Sequence, residues 1–291
     1  MKLTAFAPAK VNLFLHVGPA GGDGYHPLCS LMVFADVGDV VAVQPAEAPS
    51  FEISGPFAEA LEAGDDNLVV RAAQALLAGF PGPRPPLRLI LDKRLPVASG
   101  LGGGSADAGA ALRLLREALE LPVQDEVLAQ IAAGLGADGA ACLWNAPVIA
   151  EGRGERLSPA PAMPVLDAVL VNPRVASPTA AVYRAYDDGP AGGADRPPMP
   201  DAFESAEDVA AFLSLCRNDL EGPAIARDPR IGEVLETLRD EPETLLARMS
   251  GSGATCFALC AGDIEAEGLS ERLESMRPDW WVRRCRLGGP W

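Results

Sequence analysis

Residues 2–17 read as a strand with apolar alternation that passes into a further extended run at 11–17. A glycine-rich turn at 18–24 follows, and residues 31–43, rich in Val and Phe, predict one strand or two. The period then becomes helical. Over 66–79, Leu68, Val69, Ala72, Ala73, Leu76 and Leu77 share a face, with Asp66 or Asn67 as cap. Residues 87–91 are strand again. Helices follow over 105–121, with Ala108, Ala111, Leu112, Leu115, Ala118 and Leu119 on one face, and over 125–135, ending at Gly134 or Gly136. Residues 168–172 form a short buried strand stopped by Pro173, and 187–201 read as a surface loop of Gly, Pro and Asp. Helices are expected near 206–215 and 230–240. A strand at 256–260 follows a tight turn and carries Cys256, Ala258 and Cys260 on one face. Strands and helices occur in both halves without strict βαβ alternation, which favours an α+β fold over a doubly wound sheet. The 291 residues suffice for two ordinary domains, and Pro147, Pro159, Pro161 and Pro164 mark a boundary near 150–165. No internal repeat is visible.

The most informative stretch lies between the strand at 87–91 and the helix at 105–121. Gly100, Gly102, Gly103 and Gly104 fall within five positions, and Ser105 follows as the expected helix cap. Flexible backbone ahead of a helix presents free N–H groups and the positive end of the dipole, a site for phosphate. The run is not a Walker A loop, because no Gly-Lys-Ser/Thr closes it. It is not a dinucleotide loop either, because the third glycine of Gly-x-Gly-x-x-Gly falls on Ser105 or Asp107. A Rossmann dehydrogenase is disfavoured on that spacing, and a nucleoside triphosphate is the expected ligand.

Charge sharpens the picture. The net charge of −16 argues against a nucleic-acid or anionic-membrane partner, and it requires local positive groups wherever ATP binds. Lysine occurs only at Lys2, Lys10 and Lys93, and two of these lie in the segments that carry candidate chemistry. The six cysteines show no Cys-x-x-Cys pair and read as buried, reduced thiols. Lys10 and Asn12 interrupt the early apolar run, so no signal peptide is expected. No run of 18 apolar residues occurs, and a cytoplasmic protein is the default.

Four further patches carry chemistry. In Pro8-Ala9-Lys10-Val11-Asn12-Leu13, Lys10 and Asn12 stand two apart on a strand and share a face. In Gly22-Asp23-Gly24-Tyr25-His26, Tyr25 can stack on a base, and His26 can bond one through its ring or backbone. Asp138 follows the helix end at Gly136-Ala137; it is either a turn residue or a general base toward a substrate hydroxyl. Residues 249–255, Met-Ser-Gly-Ser-Gly-Ala-Thr, form a second glycine turn before a strand.

In order along the chain, these patches resemble the motifs of the GHMP kinases (galactose, homoserine, mevalonate and phosphomevalonate kinases). Pro96 to Ala106 matches Pro-x-x-x-Gly-Leu-Gly-Ser/Gly-Ser-Ser/Ala, residues 8–13 match Pro-Ala-Lys-x-Asn-Leu, and residues 250–254 match Ser-Gly-Ser/Thr-Gly-Ala. The triple glycine, Asp92-Lys93-Arg94-Leu95-Pro96 and Asp23-Gly24-Tyr25-His26 are similar to the branch whose substrate carries a cytidine diphosphate group. Shorter matches at 66–69, 150–155, 171–173 and 217–220 extend the resemblance from about residue 3 to about 260. Two departures stand out: Ala106 replaces a second serine, and Gly139-Ala140 replaces the usual Val-Pro after Asp138.

The resemblance implies an N-terminal domain of ribosomal-protein-S5 domain 2 type over 1–155 and a ferredoxin-like C-terminal domain over 156–291, with the active site in the cleft between them. It implies ATP, with Mg²⁺ bridging its phosphates. The nucleotide would lie against Pro96, Ala98, Ser99, Gly100, Leu101, Gly102, Gly103, Gly104, Ser105 and Ala106, with Asn67 and Lys93 beside the adenine. Ser105 is a candidate metal ligand, and no acidic partner for it is evident. Lys10 and Asp138 would orient and activate the hydroxyl. Asn12, Tyr25, His26, Thr179, Tyr183, Gly251, Ser252 and Gly253 would hold the substrate, with Tyr183 as a second aromatic face for cytosine. A mevalonate- or homoserine-type kinase would lack the Asp-Gly-Tyr-His patch, and a non-catalytic nucleotide-binding regulator would not need Lys10 and Asp138.

Overall fold

The computed structural model describes residues 2–291. Strand β1 (Leu3–Val17) pairs antiparallel with β2 (Leu28–Pro45), and β3 (Ser50–Ser54) joins β4 (Leu87–Asp92), which also borders β2. The 31–43 stretch is thus part of one 18-residue strand. Its length lets one strand serve β1, β4 and the hairpin β5 (Val148–Gly152) and β6 (Arg156–Pro159) together. That hairpin straddles the boundary expected at 155/156.

The second half supplies β7 (Leu166–Asn172), β8 (Thr244–Met249), β9 (Cys256–Cys260) and β10 (Trp281–Leu287). These pair antiparallel in the order β10-β7-β9-β8. A single residue pair, Leu287 opposite Ala35, links β10 to β2, so all ten strands form one continuous sheet.

Four helices pack on the first half: α1 (Leu68–Ala78), α2 (Gly103–Ala118), α3 (Asp125–Leu135) and α4 (Gly139–Trp144). Five belong to the second: α5 (Thr179–Asp187), α6 (Ala206–Ser214), α7 (Glu221–Arg227), α8 (Pro229–Asp240) and α9 (Asp263–Met276). The architecture is mixed α+β, as the alternation pattern implied. No helix among the described residues is long and apolar enough to cross a membrane.

Two bulges in β1 divide its odd-numbered side chains between two apolar layers, where unbroken alternation would keep them on one face. Ala7, Leu15 and Val17 enter one core, and Ala9, Val11 and Leu13 the other. Register shifts at Pro8/Lys10 and Asn12/Phe14 bracket Lys10–Asn12. Bulges of this kind re-aim side chains next to functional sites.

Ser105 does not cap α2. The helix starts two residues earlier, at Gly103, with Gly102 as cap in the left-handed region (φ 61°). Glycine adopts that conformation without strain, and with no side-chain cap the first N–H groups of α2 have no intrahelical partner. Asn67 does cap α1, its Oδ1 accepting from the Val69 N–H at 3.0 Å.

Candidate active site

A cavity of about 920 Å³ collects residues from β1, the 18–26 turn, the glycine loop, the loop before α4, α5 and the 250–254 turn. At its floor Lys10 is nearly sealed (3% exposed), while its Nζ lies 3.1 Å from Oδ2 of Asp138, which is 28% exposed. The ammonium also donates to Asn12 Oδ1. Asn12 in turn donates to Ser30 Oγ at 2.7 Å, and Ser30 donates to the Phe14 carbonyl. This chain fixes the amide's orientation and leaves one of the three ammonium donors for a ligand. Asp138 occupies the cap position of α4, yet its carboxylate makes no capping bond, so it is available to Lys10 and the cavity.

The two glycine loops interlock over this pair. Ser250 Oγ donates to the Gly100 carbonyl at 3.0 Å and accepts from the Asn12 N–H at 3.1 Å. A Cβ on Gly100 would stand 2.2 Å from the Ser250 carbonyl oxygen, so this approach requires glycine. Asn218 holds the 250–254 turn from behind, donating to the carbonyls of Met249 and Gly251 at 2.8 Å each. The departure at Gly139 also has a local reason. A Cβ there would lie 1.9 Å from the Ala132 carbonyl oxygen, so α3 and α4 pack around the missing side chain.

Of the expected nucleotide residues, Asn67, Lys93, Pro96, Ala98, Ser99, Gly100, Gly102, Gly103, Gly104 and Ser105 border the cavity. Leu101 and Ala106 do not; both side chains are fully buried in the core. The Ala106 departure therefore leaves the cavity wall unchanged. Lys93 offers wall but no free charge, because its ammonium is clasped by Asp39 at 2.5 Å and Asp107 at 2.7 Å. Burial alone would lower its pKa, but the two carboxylates override that and raise it. Asp39 Oδ1 accepts from the N–H groups of Arg94 and Leu95, which ties the triad to the entry of the glycine loop. Burial, with Asp39 nearby, pushes the Asp107 carboxyl upward against the pull of Lys93.

At the opposite end, Tyr25 is 59% exposed, with the Arg153 guanidinium 4.2 Å above one face of its ring. Arg153 also pairs with Asp23. His26 donates from Nδ1 to the Gly18 carbonyl at 2.9 Å, and its Nε2 faces Asp187 Oδ1 at 3.2 Å. With both ring nitrogens engaged, His26 offers a ligand its backbone rather than its imidazole. Its ring lies 5.0 Å from that of Tyr183. Burial, reinforced by Asp138 and Tyr186, pushes the Tyr183 phenol up to about 12, so it stays neutral. Thr179 Oγ1 and Ser252 Oγ are 2.9 Å apart, with Gly251 beside them on the cavity wall. Gly253 lies beneath the turn, outside the wall. Sequence reasoning gave no role to Ser30, Asn218, Arg153, Arg184 or Asp187; Arg153, between Gly152 and Gly154, and Asn218 lie in the short matches at 150–155 and 217–220, whereas Ser30, Arg184 and Asp187 lie outside any matched segment.

Comparison with known proteins agrees with this geometry. The family models described as GHMP kinases N terminal domain and GHMP kinases C terminal match residues 67–149 and 201–278. The chain belongs to the GHMP kinases. Among relatives of this GHMP kinase is a protein of Caulobacter sp. (strain K31) named 4-diphosphocytidyl-2-C-methyl-D-erythritol kinase, 69% identical over the full length of both chains. A crystal structure of 4-(cytidine 5'-diphospho)-2C-methyl-D-erythritol kinase superposes with TM-score 0.77 at 34% identity, covering 99% of this chain and 100% of that one. The homoserine kinase of Cytophaga hutchinsonii shares the fold at 19% identity, with TM-score 0.69 over 97% of this chain and 94% of its own.

Proposed function

We propose that this GHMP kinase transfers the γ-phosphoryl group of ATP to the 2-hydroxyl of 4-diphosphocytidyl-2-C-methyl-D-erythritol, giving the 2-phosphate and ADP, a step of the non-mevalonate route to isoprenoids. The observation that carries the reading is one cavity bounded by a glycine loop at a helix N-terminus, the Lys10–Asp138 pair, and Tyr25 and Tyr183, in a chain 69% identical to a kinase of that name.

The residues act in sequence along the cavity. Backbone N–H groups from Ser99 to Ser105, at the mouth of α2, cradle the phosphates. Lys10 and Asp138 share the reacting hydroxyl: Asp138 aligns it and accepts its proton, and Lys10 offers its remaining N–H to the oxygen that becomes the nucleophile. Tyr25 and Tyr183 flank the cytosine, whose edge meets the His26 backbone, while Asn12, Thr179, Gly251 and Ser252 border the rest of the substrate. Among the described residues no group of three or more His, Cys, Asp or Glu side chains could form a metal cage. Mg²⁺ would come with the ATP phosphates; the Ser105 hydroxyl, on the cavity wall, would be the residue to hold it, and the ion would supply neutralisation of phosphate charge. Positioning and charge stabilisation supply most of the rate. Because β6 pairs with β5, we draw the domain division after Pro159.

The test is ADP release by the purified protein with ATP and Mg²⁺ across 4-diphosphocytidyl-methylerythritol, mevalonate, homoserine and galactose. Turnover with the cytidyl substrate alone is expected. Turnover with another alcohol would discard the substrate and keep the phosphate loop. ATP binding without any turnover would favour a regulatory role.

A further inference from the structure

A chain of net charge −16 that holds two polyanions in one cavity depends on its few local cations. Four lysine or arginine side chains border the cavity: Lys10, Lys93, Arg153 and Arg184. Three already face carboxylates of the chain. Lys10 faces Asp138, Lys93 is clasped by Asp39 and Asp107, and Arg153 pairs with Asp23 above Tyr25. Arg184 alone makes no ion pair or hydrogen bond among the described residues.

Its position follows from helix geometry. Along α5, Thr179, Tyr183 and Asp187 recur at four-residue spacing and face the cavity, and Ala180 and Arg184 form the adjoining row, which borders it too. Thr179 marks the glycine-turn end, 2.9 Å from Ser252. Tyr183 marks the base end, 5.0 Å from the His26 ring. Arg184 follows Tyr183 directly and stands about 7.5 Å along the helix axis from Thr179, at 1.5 Å per residue. In a substrate that runs from a base near Tyr183 to a hydroxyl near Asp138, the diphosphate is the segment that adjoins the nucleoside.

We propose that Arg184 is the residue that binds the diphosphate link of the substrate, a specificity determinant for nucleoside diphosphate esters over uncharged alcohols. The proposal rests on the substrate reading above. A guanidinium presents a planar fork of donors that matches two phosphate oxygens at once, and here it is not tied up in an ion pair: among the described residues no carboxylate oxygen lies within 4 Å of it, Asp187 being turned to His26.

Calorimetric titration of the full chain, with the ATP side filled by a non-hydrolysable ATP analogue, tests this without turnover. The probes are cytidine and cytidine 5'-diphosphate. The wild-type protein is expected to prefer the diphosphate. Arg184→Gln is expected to weaken the diphosphate about tenfold to a hundredfold, the size of a charge-assisted hydrogen bond, and to leave cytidine unchanged. Arg184→Lys should recover part of the loss, and added salt should weaken the diphosphate in the wild type more than in the glutamine variant. Arg184 is exposed, so both variants should keep the wild-type unfolding midpoint. If Arg184→Gln keeps the full preference for the diphosphate, the assignment is wrong. If its loss falls instead on the ATP analogue, titrated separately, the arginine serves the other ligand and the assignment is equally wrong. If the wild type binds neither cytidine nor its diphosphate, the substrate reading itself fails and takes this assignment with it.

Discussion

Two lysines meet carboxylates beside the same glycine loop, and they do opposite work. Lys10 and Asp138 form an open pair, with the carboxylate 28% exposed to the cavity. Lys93, Asp39 and Asp107 form a closed triad in which no side chain is more than 3% exposed. In the closed triad the ammonium is bound on two sides, and the backbone of residues 94–95 is locked to it. In the open pair an ammonium donor and a carboxylate remain for a substrate. Residue type does not separate the two sites. Burial and partner count do, because a sealed charge must be neutralised by its neighbours, whereas a half-open one can be neutralised by a ligand.

The sharpest break of this comparison is Asp138→Asn. Loss of the carboxylate should lower kcat about 10²- to 10⁴-fold, the usual weight of a positioned acid or base, with stability far less affected. Steady-state ADP release and a thermal melt read both, and unchanged turnover would remove Asp138 from the chemistry.

Lys93→Met should act the other way round. It leaves two carboxylates buried side by side and should destabilise the fold by about 3–5 kcal/mol, as broken buried pairs do. Denaturant unfolding measures it. A variant with wild-type stability and lost ATP affinity would turn the triad into a ligand site.

At the far end of the cavity, Tyr25→Ala should raise KM for the cytidyl substrate about tenfold, near the value of one aromatic stack, with KM for ATP little changed. Equal losses for both ligands would count against stacking.

The smallest effect is a slope. The Asp107 carboxyl is held above its unfolded value, so the stability it contributes is fully present below pH about 4 and is lost as pH rises through its folded pKa of about 7. Asp107→Asn should therefore gain on the wild type as pH rises over that window. Parallel melts that keep a constant difference would show that Asp107 does not titrate there.

Much of the fold was legible because its signals are local. The helix at 125–135 reproduces α3 to the residue, and the expected helices at 206–215 and 230–240 agree with α6 and α8 within one residue. Of the two caps the pattern offered for α1, Asp66 and Asn67, the structure uses Asn67. The α2 cap was misassigned because the helix begins earlier, at a left-handed glycine that leaves the first N–H groups without a side-chain acceptor. The hairpin β5–β6, the strands β8 and β10 and the helix α9 were not read at all. Their apolar residues are recruited by neighbours far along the chain, as when β10 completes the sheet beside β7. The strands, four to seven residues long, carry little periodicity of their own, and the 14-residue α9 buries only Ala266, Leu269, Ser270 and Leu273, a narrow, mostly apolar face.

By itself the sequence determined the α+β alternation, the glycine loop ahead of a helix, and the presence of Lys10 and Asp138, because each depends on residues close together along the chain. Only the tertiary structure decided that Lys10 meets a carboxylate 128 positions away while Lys93 is closed off by Asp39 and Asp107. The tertiary structure also decided that Arg184, among the lysines and arginines of the cavity, keeps no carboxylate partner. Charge pairing is a matter of distance and burial, and neither is defined until the sheet, the loops and the helix ends have come together.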